Sequence, residues 1–244
     1  MILRKHIPNF ITCLNIISGS LAVVFALRGE LTIAVFLILA GAFFDFFDGM
    51  AARTLKAYSA IGKDLDSLAD VITFGLAPGM IMFVLLQYSL SNQPIVLFTF
   101  REGVIVSFAL LIPVFSALRL AKFNNDTRQT SSFIGLPTPA NAIFISSLAL
   151  INDYGEFETF DHLILNTGTL IFLTLLTSYL LISEIPMFSL KFKNMRWQDN
   201  KIRMIFLIIA LILISAFTFY GIAATIISFV FLSFIQNIRK IQLT

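Results

Sequence analysis

The sequence predicts an all-α integral membrane protein with about eight transmembrane helices, and three observations carry that prediction. In 244 residues, the AVILMFWYC set makes up 58% and DEKR residues only 13%. A soluble domain carries about 25% charge, so this chain cannot cover a globular surface with polar groups. Apolar stretches of membrane-spanning length recur along the whole chain, and mean hydropathy is +0.91. None of them alternates with period two, which argues against a barrel. The same fractions exclude disorder, which needs low hydrophobicity and high charge. The single cysteine, Cys13, excludes an intramolecular disulfide and any multi-cysteine metal site. The net charge of +3 follows from the basic bias of inward-facing loops, and no nucleic-acid partner is expected.

A helix needs about 20 apolar residues to cross the ~30 Å hydrocarbon core. The candidate stretches are 10–28, 31–53, 66–88, 103–122, 138–152, 163–184, 203–219 and 221–238. The first follows Arg4-Lys5 as a signal peptide would, but it reaches spanning length and no A-x-A site follows. It is therefore expected to stay as an uncleaved helix. The fifth is short and flanked by Pro137 and Pro139. The seventh and eighth are separated only by Tyr220-Gly221, so they form a tight hairpin or one long bent segment.

Basic residues orient the spans. With the N-terminus inside, the inner segments hold Arg4 and Lys5; Arg53, Lys56 and Lys63; Arg119, Lys122 and Arg128. They also hold Lys191, Lys193, Arg196, Lys201 and Arg203, then Arg239 and Lys240. The outer side keeps only Arg28 and Arg101, a split of fifteen to two that places both termini in the cytoplasm. The acidic loop Asp153, Glu156, Glu158 and Asp161 falls outside. The 27 Phe residues are spread across the spans and read as lipid contact and packing.

Asp45, Asp48, Asp64, Asp66 and Asp70 fall within 26 residues, two of them inside GAFFDFFDGMAAR. A charge near the bilayer centre costs from about 2.5 kcal/mol upward, so such residues mark function. At 100° per residue, Asp45 and Asp48 lie about 60° apart on one helix, and Asp66 and Asp70 about 40° apart on the next. Two helices thus each offer a carboxylate pair on one face. Both pairs sit near the cytoplasmic boundary, since Arg53 ends the second span and Asp66 begins the third. Asp45 is about 12 Å in from Arg53.

Converging carboxylates cannot all stay ionised without positive charge, because repulsion and desolvation both disfavour the charged form. Arg53 and Lys63 cannot balance five aspartates. Hard divalent cations with oxygen ligands, Mg²⁺ or Mn²⁺, are the natural partner. A two-ion site beside a basic-rimmed pocket suits phosphoryl chemistry. Burial alone leaves a cation-coupled transporter equally open, since intramembrane carboxylates serve proton and ion pathways too.

The spacing is Asp45-x2-Asp48-Gly49-x2-Ala52-Arg53-x8-Gly62-x3-Asp66-x3-Asp70. It resembles, at each of its eight fixed residues, the signature of the CDP-alcohol phosphatidyltransferase family. The resemblance implies a six-helix core with its site at the cytoplasmic end, to which the last two spans would be an addition. The implied division is a membrane domain over 1–185, then a basic loop and two further helices over 186–244. Asp45, Asp48 and Asp66 resemble the family's metal ligands, and Asp70 its last aspartate, a general base and also a ligand. Gly49 and Ala52 are small, so a CDP moiety can lie against the helix. Arg53 offers a guanidinium fork to a phosphoryl oxygen. Gly62 fits the turn where the chain re-enters the membrane, or a ligand contact. Asp64 lies outside the signature and reads as a solvated loop charge.

Three further stretches resemble the bacterial serine-using members, the CDP-diacylglycerol–serine O-phosphatidyltransferases. Asp66-Ser67-Leu68-Ala69-Asp70-Val71-Ile72-Thr73-Phe74-Gly75-Leu76-Ala77-Pro78 is similar to their DSLAD-x-x-[ST]-FG-x-AP run. Ile7-Pro8-Asn9-Phe10-Ile11-Thr12 is similar to the family's PN-x-x-T entry, which puts Asn9 and Thr12 at the nucleotide or at a cap of the first helix. Leu118–Asn124 and Phe133–Pro139 are similar to RLARFN and F-x-GLP-x-P. There Arg119 and Lys122 face the aspartates' side of the membrane, where an acceptor carboxylate or a phosphate would meet them. Lys122 departs from the usual arginine, keeping the charge and losing the fork. What the resemblance implies is transfer of a phosphatidyl group from CDP-diacylglycerol to L-serine, in a prokaryotic inner membrane, among membrane lipids and as a homodimer. Another acceptor alcohol, such as glycerol 3-phosphate or inositol, is the nearest alternative.

Overall fold

The computed structural model describes residues 2–57, 59–91, 99–126, 132–189 and 197–241. Arg128, Lys191, Lys193 and Arg196, which the orientation reading uses, lie outside them, as do the side chains of Arg4, Lys5, Arg239 and Lys240. The apolar stretches fold as helices, as their lengths require. They are α1 (Ile2–Leu27), α2 (Leu31–Thr54), α3 (Ala60–Asp70), α4 (Ala77–Ser91), α5 (Phe100–Ser107), α6 (Leu111–Asn125), α7 (Thr138–Tyr154), α8 (Glu158–Ile164), α9 (Thr167–Ile182) and α10 (Trp197–Ile241). A π-turn over Val71–Leu76 joins α3 to α4, and a short 3₁₀ turn over Phe108–Leu110 joins α5 to α6. Two three-residue strands, β1 (Ser132–Ile134) and β2 (Pro186–Phe188), pair antiparallel with Phe133 opposite Met187.

Local chemistry sets the boundaries. Ser59 caps α3 by accepting from the Gly62 N–H at 3.0 Å. Thr99 and Glu102 form a capping box at α5. Gly135 turns the chain between β1 and α7 at φ +75°, a conformation that favours glycine. A Cβ there would also press on the Ser183 carbonyl at 3.0 Å.

The chain is an all-α membrane protein. Among the described residues, five helices are long and apolar enough to cross a bilayer, and six if α8 and α9, bent by 55°, form one broken span. The sequence expectation is about eight, and the difference has two physical sources. Helix α7 has 17 residues and falls short of the length test. The last two expected spans form one continuous helical stretch, broken only where Thr218 takes φ 47°. That break reverses the chain. The rings of Phe206 and Phe229 sit 5.8 Å apart, whereas 23 residues of straight helix would separate them by about 34 Å. The reversal begins at Thr218, slightly before the Tyr220-Gly221 pair expected to make it.

The helices run up and down, and contacts sort the loops into two ends. At one end the Thr32 hydroxyl donates to Asp153 at 2.6 Å, Ser89 meets Thr167 at 2.8 Å, and Tyr220 donates to Asp161. At the other, Asn124 donates to Ser67 at 2.8 Å and the β1–β2 pair closes the bundle. The Ala60–Leu90 span is the central one: 67% of its apolar window is buried, against 33% for α1, α2 and the Phe100–Asn125 span. Phe74, Ile81, Leu85 and Ile145 fill the core around it, while Phe36, Phe43 and Phe46 face outward toward lipid.

Candidate active site

The aspartate signature folds into one place. Asp45 and Asp48 sit in the last turns of α2, whose length is set by its apolar run and closed by Arg53. The chain leaves α2 with Lys56 at φ 51°, and α3 then brings Asp66 and Asp70 back alongside. One carboxylate oxygen each from Asp45, Asp48 and Asp66 lie within 4.8 Å of one another. Asp45 is also within hydrogen-bonding reach of both Asp66 and Asp70. The carboxylate pairs expected on two helix faces therefore converge. Asp64 is exposed and outside the group, but it lies within α3 and not in a loop.

Three sequence expectations are corrected. Helix α3 begins at Ala60, so Asp66 lies about 9 Å along it and does not open the span. Gly62 accordingly lies in the first turn of that helix and is not the re-entry turn. Its role is close approach, since a Cβ there would stand 2.9 Å from Ser59 Oγ and 3.0 Å from Asn9 Oδ1. Asn9 and Thr12 are likewise inside α1, which begins at Ile2, so neither caps it. Thr12 is buried, and its hydroxyl reaches the Pro8 carbonyl at 3.0 Å and Asp48 Oδ2 at 2.6 Å. This link between helices 36 positions apart has no signal in the sequence.

A cleft of about 200 Å³ opens beside the carboxylates. It is lined by Asn9, Thr12, Asp48, Gly49, Ala52, Gly62 and Asp66, all expected at the site. Pro8, Ala57, Ser59 and Lys63 line it too; of these, Ala57 and Ser59 carry no signal in the sequence. Gly49, Ala52 and Gly62 keep one wall flat. Arg53 is exposed at the rim beside Gly49 and is not part of the lining.

On the far side of the cluster, one oxygen of Asp70 is buried without a hydrogen-bond partner. Arg119, also buried, is near enough to interact with it electrostatically and stacks 5.1 Å over Phe123. Lys122 is exposed and points its ammonium at the Ile182 carbonyl, 3.5 Å away, at the end of α9. Only Arg119 of the two basic residues is brought to the aspartates.

The donor set fits a hard divalent cation. It is all oxygen, three of its members are close enough to share an ion, and a fourth offers an unpaired buried oxygen. Carboxylates so placed lie next to a cleft lined by Gly49, Ala52 and Gly62. Comparison with known proteins names the group: a family model described as CDP-alcohol phosphatidyltransferase matches residues 5–188, and the chain belongs to that family. The CDP-diacylglycerol–serine O-phosphatidyltransferase of Bacillus subtilis is 37% identical over 181 residues, covering 74% of this chain and 89% of the relative. The enzyme of the same name from Helicobacter pylori is 34% identical over 152 residues, covering 62% of this chain and 60% of its own length. An archaetidylserine synthase of Methanothermobacter thermautotrophicus is 34% identical over 154 residues, covering 62% of this chain and 61% of its own. These relatives give no support to the transporter reading.

Proposed function

We propose that the protein transfers the phosphatidyl group of CDP-diacylglycerol to the hydroxyl of L-serine, giving phosphatidylserine and CMP. The observation that carries this reading is the convergence of Asp45, Asp48 and Asp66 within 4.8 Å beside the cleft, in a chain similar to serine phosphatidyltransferases. Asp45, Asp48 and Asp66, with Asp70 beside them, would hold Mg²⁺ or Mn²⁺, two ions by the number of carboxylates. Such ions, when bound, neutralise the charge of a diphosphate. Asn9, Thr12, Gly49, Ala52 and Gly62 shape the cleft for the CDP group, with Arg53 at its mouth for a phosphoryl oxygen.

Asp70 accepts the proton of the serine hydroxyl. The serine oxygen then forms its bond to the phosphatidyl phosphorus as the bond to the CMP oxygen breaks. A positioned proton acceptor of this kind contributes about 10²–10⁴-fold. Arg119, behind Asp70, faces the acceptor's carboxylate, and Lys122 stays at the rim.

The reading includes eight crossings, with α7, α8–α9 and each arm of α10 counted as one. It also places both termini and the site on the cytoplasmic side of a prokaryotic inner membrane. The two helical arms of α10 lie beyond residue 188, where the family match ends, which supports an appended unit over 186–244. The test is CMP release by the purified protein in lipid nanodiscs with CDP-diacylglycerol. Serine, glycerol 3-phosphate and inositol are offered in turn. Serine alone should support turnover, and a response to inositol or glycerol 3-phosphate alone overturns the assignment of the acceptor.

A further inference from the structure

Beyond the aspartates, the structure buries a second group of polar side chains that the fold leaves unsatisfied. Asn141 on α7 is fully buried, and neither its amide nitrogen nor its amide oxygen has a partner. The hydroxyls of Thr138 on α7 and Ser178 on α9 are buried and unpaired, and so is Nε of Arg119 on α6. A carboxamide carries two donors and an acceptor with two lone pairs, and leaving them all unmet in an interior is costly. Single orphans could be accidents of packing. These share one layer.

The register of the helices places them there. Asn124 of α6 binds Ser67, and Ser116 lies against Gly75, so α6 runs antiparallel to the third span with Arg119 level with the π-turn just after Asp70. Lys122 reaches the Ile182 carbonyl, which sets α9 parallel to α6 and Ser178 within about one turn of the level of Arg119. The loop into α7 docks on the same end of α9, where the Leu136 N–H donates to the Leu180 carbonyl at 2.8 Å. Thr138 follows that bond by two residues and Ser178 precedes it by two. Helix α6 packs on the π-turn and on α9, and α7 packs on both as well.

The chemistry of this layer is specific. Arg119 is the one buried cation among the described residues, and stacking on Phe123 fixes its plane. The other groups are neutral donors and acceptors. One cation amid carboxamide and hydroxyl oxygens suits a small zwitterion, its carboxylate on Arg119 and its ammonium on the neutral oxygens. A phosphomonoester would set two negative charges against one cation, and a polyol would bring the guanidinium no charge of its own.

We propose that Asn141, with Thr138, Ser178 and Arg119, forms the pocket that holds the amino-acid end of the acceptor beside Asp70, and that Asn141 is its specificity-determining residue. This rests on the reading of the protein as a serine-using transferase. Asn141→Leu keeps the volume and removes both polar ends. It should raise the KM for serine about tenfold or more, because the zwitterion loses buried partners, while the KM for CDP-diacylglycerol stays near wild type. Ser178→Ala and Thr138→Val should each raise the serine KM by about threefold, with the donor KM again unmoved. A purely structural orphan behaves in the opposite way: Asn141→Leu would raise the melting temperature and leave the serine KM where it was, which overturns the proposal. Should Asn141→Leu fail to fold, an unchanged serine KM in both hydroxyl variants overturns it equally. If the wild-type protein releases no CMP with serine, the proposed function falls and takes the pocket with it. If it uses serine and the variants keep its KM, the pocket alone falls.

Discussion

Thr12→Val isolates the contact that ties α1 to the aspartate site. Valine matches threonine in shape, so no cavity opens, and the buried position leaves little room for a replacing water. What is lost is a 2.6 Å hydrogen bond to Asp48 Oδ2, after which that carboxylate keeps its contact with the Gly49 N–H. Hydrogen bonds to charged groups contribute about 1.5–3 kcal/mol. Removing an outer partner of a metal ligand costs about 10–100-fold in metal affinity. At about 1.4 kcal/mol per tenfold, the two ranges meet near 2 kcal/mol, or about 30-fold. The assay is CMP release with serine and CDP-diacylglycerol saturating and Mn²⁺ varied. The half-saturating Mn²⁺ concentration should rise about 30-fold, with turnover largely recovered at high metal, and Thr12→Ser should stay near wild type. Unchanged metal dependence with a raised KM for CDP-diacylglycerol would refute the reasoning, because Thr12 would then serve the nucleotide and not the ligand.

Asp70→Asn should lower turnover by about 10²–10⁴-fold while keeping CDP binding, whereas Asp45→Asn should weaken CDP binding as well. Equal loss of binding in the two, measured by calorimetry with CDP and Mn²⁺, would make Asp70 chiefly a ligand. EDTA should abolish activity and added Mg²⁺ or Mn²⁺ restore it. Asp48→Asn should be inactive at any metal level, and Asp64→Asn, in an exposed residue outside the cluster, should be nearly normal. Gly62→Ala should raise the KM for CDP-diacylglycerol with little change in melting temperature, because the added methyl displaces the side-chain ends of Asn9 and Ser59 and no backbone. Tags at both termini should report the cytoplasmic side and a tag within 153–161 the outer side; opposite reports from the two termini would leave an odd number of crossings.

The aspartate site was legible because its information is short-range. Helical periodicity alone puts Asp45 with Asp48 and Asp66 with Asp70, and a tight reversal between them can only bring the pairs together. The reversal itself was misplaced. A glycine suggests a turn, but here Ser59 opens the helix and Gly62 serves close packing inside its first turn. Contacts between distant helices carried no sequence signal: the Thr12–Asp48 bond depends on how α1 crosses α2, which periodicity does not encode. Lys122 and Arg119 looked alike as basic residues at a helix end. They differ by three positions, about 60° of helix face, and this turns one toward Asp70 and the other toward α9.

The run after Asp70 resembles that of the serine-using members, and three of its residues, Thr73, Phe74 and Gly75, have a structural place in the bundle. In the structure all three are buried in the π-turn, where the Ala77 N–H reaches back to the Ile72 carbonyl, five residues away. Thr73 donates to the Asn15 side chain at 2.7 Å and lies close to its carbonyl at 3.2 Å. Gly41 makes the crossing possible, since a Cβ there would stand 2.9 Å from Asn15 Oδ1 and press on the Thr73 methyl. Gly19 faces Thr73 from α1 in the same way. These contacts clamp the central span to α1 and α2 directly after Asp70. This stretch is therefore scaffold for Asp70, the proposed proton acceptor. The groups proposed to hold the amino-acid end of the acceptor lie on α6, α7 and α9, where buried donors and acceptors are left without partners.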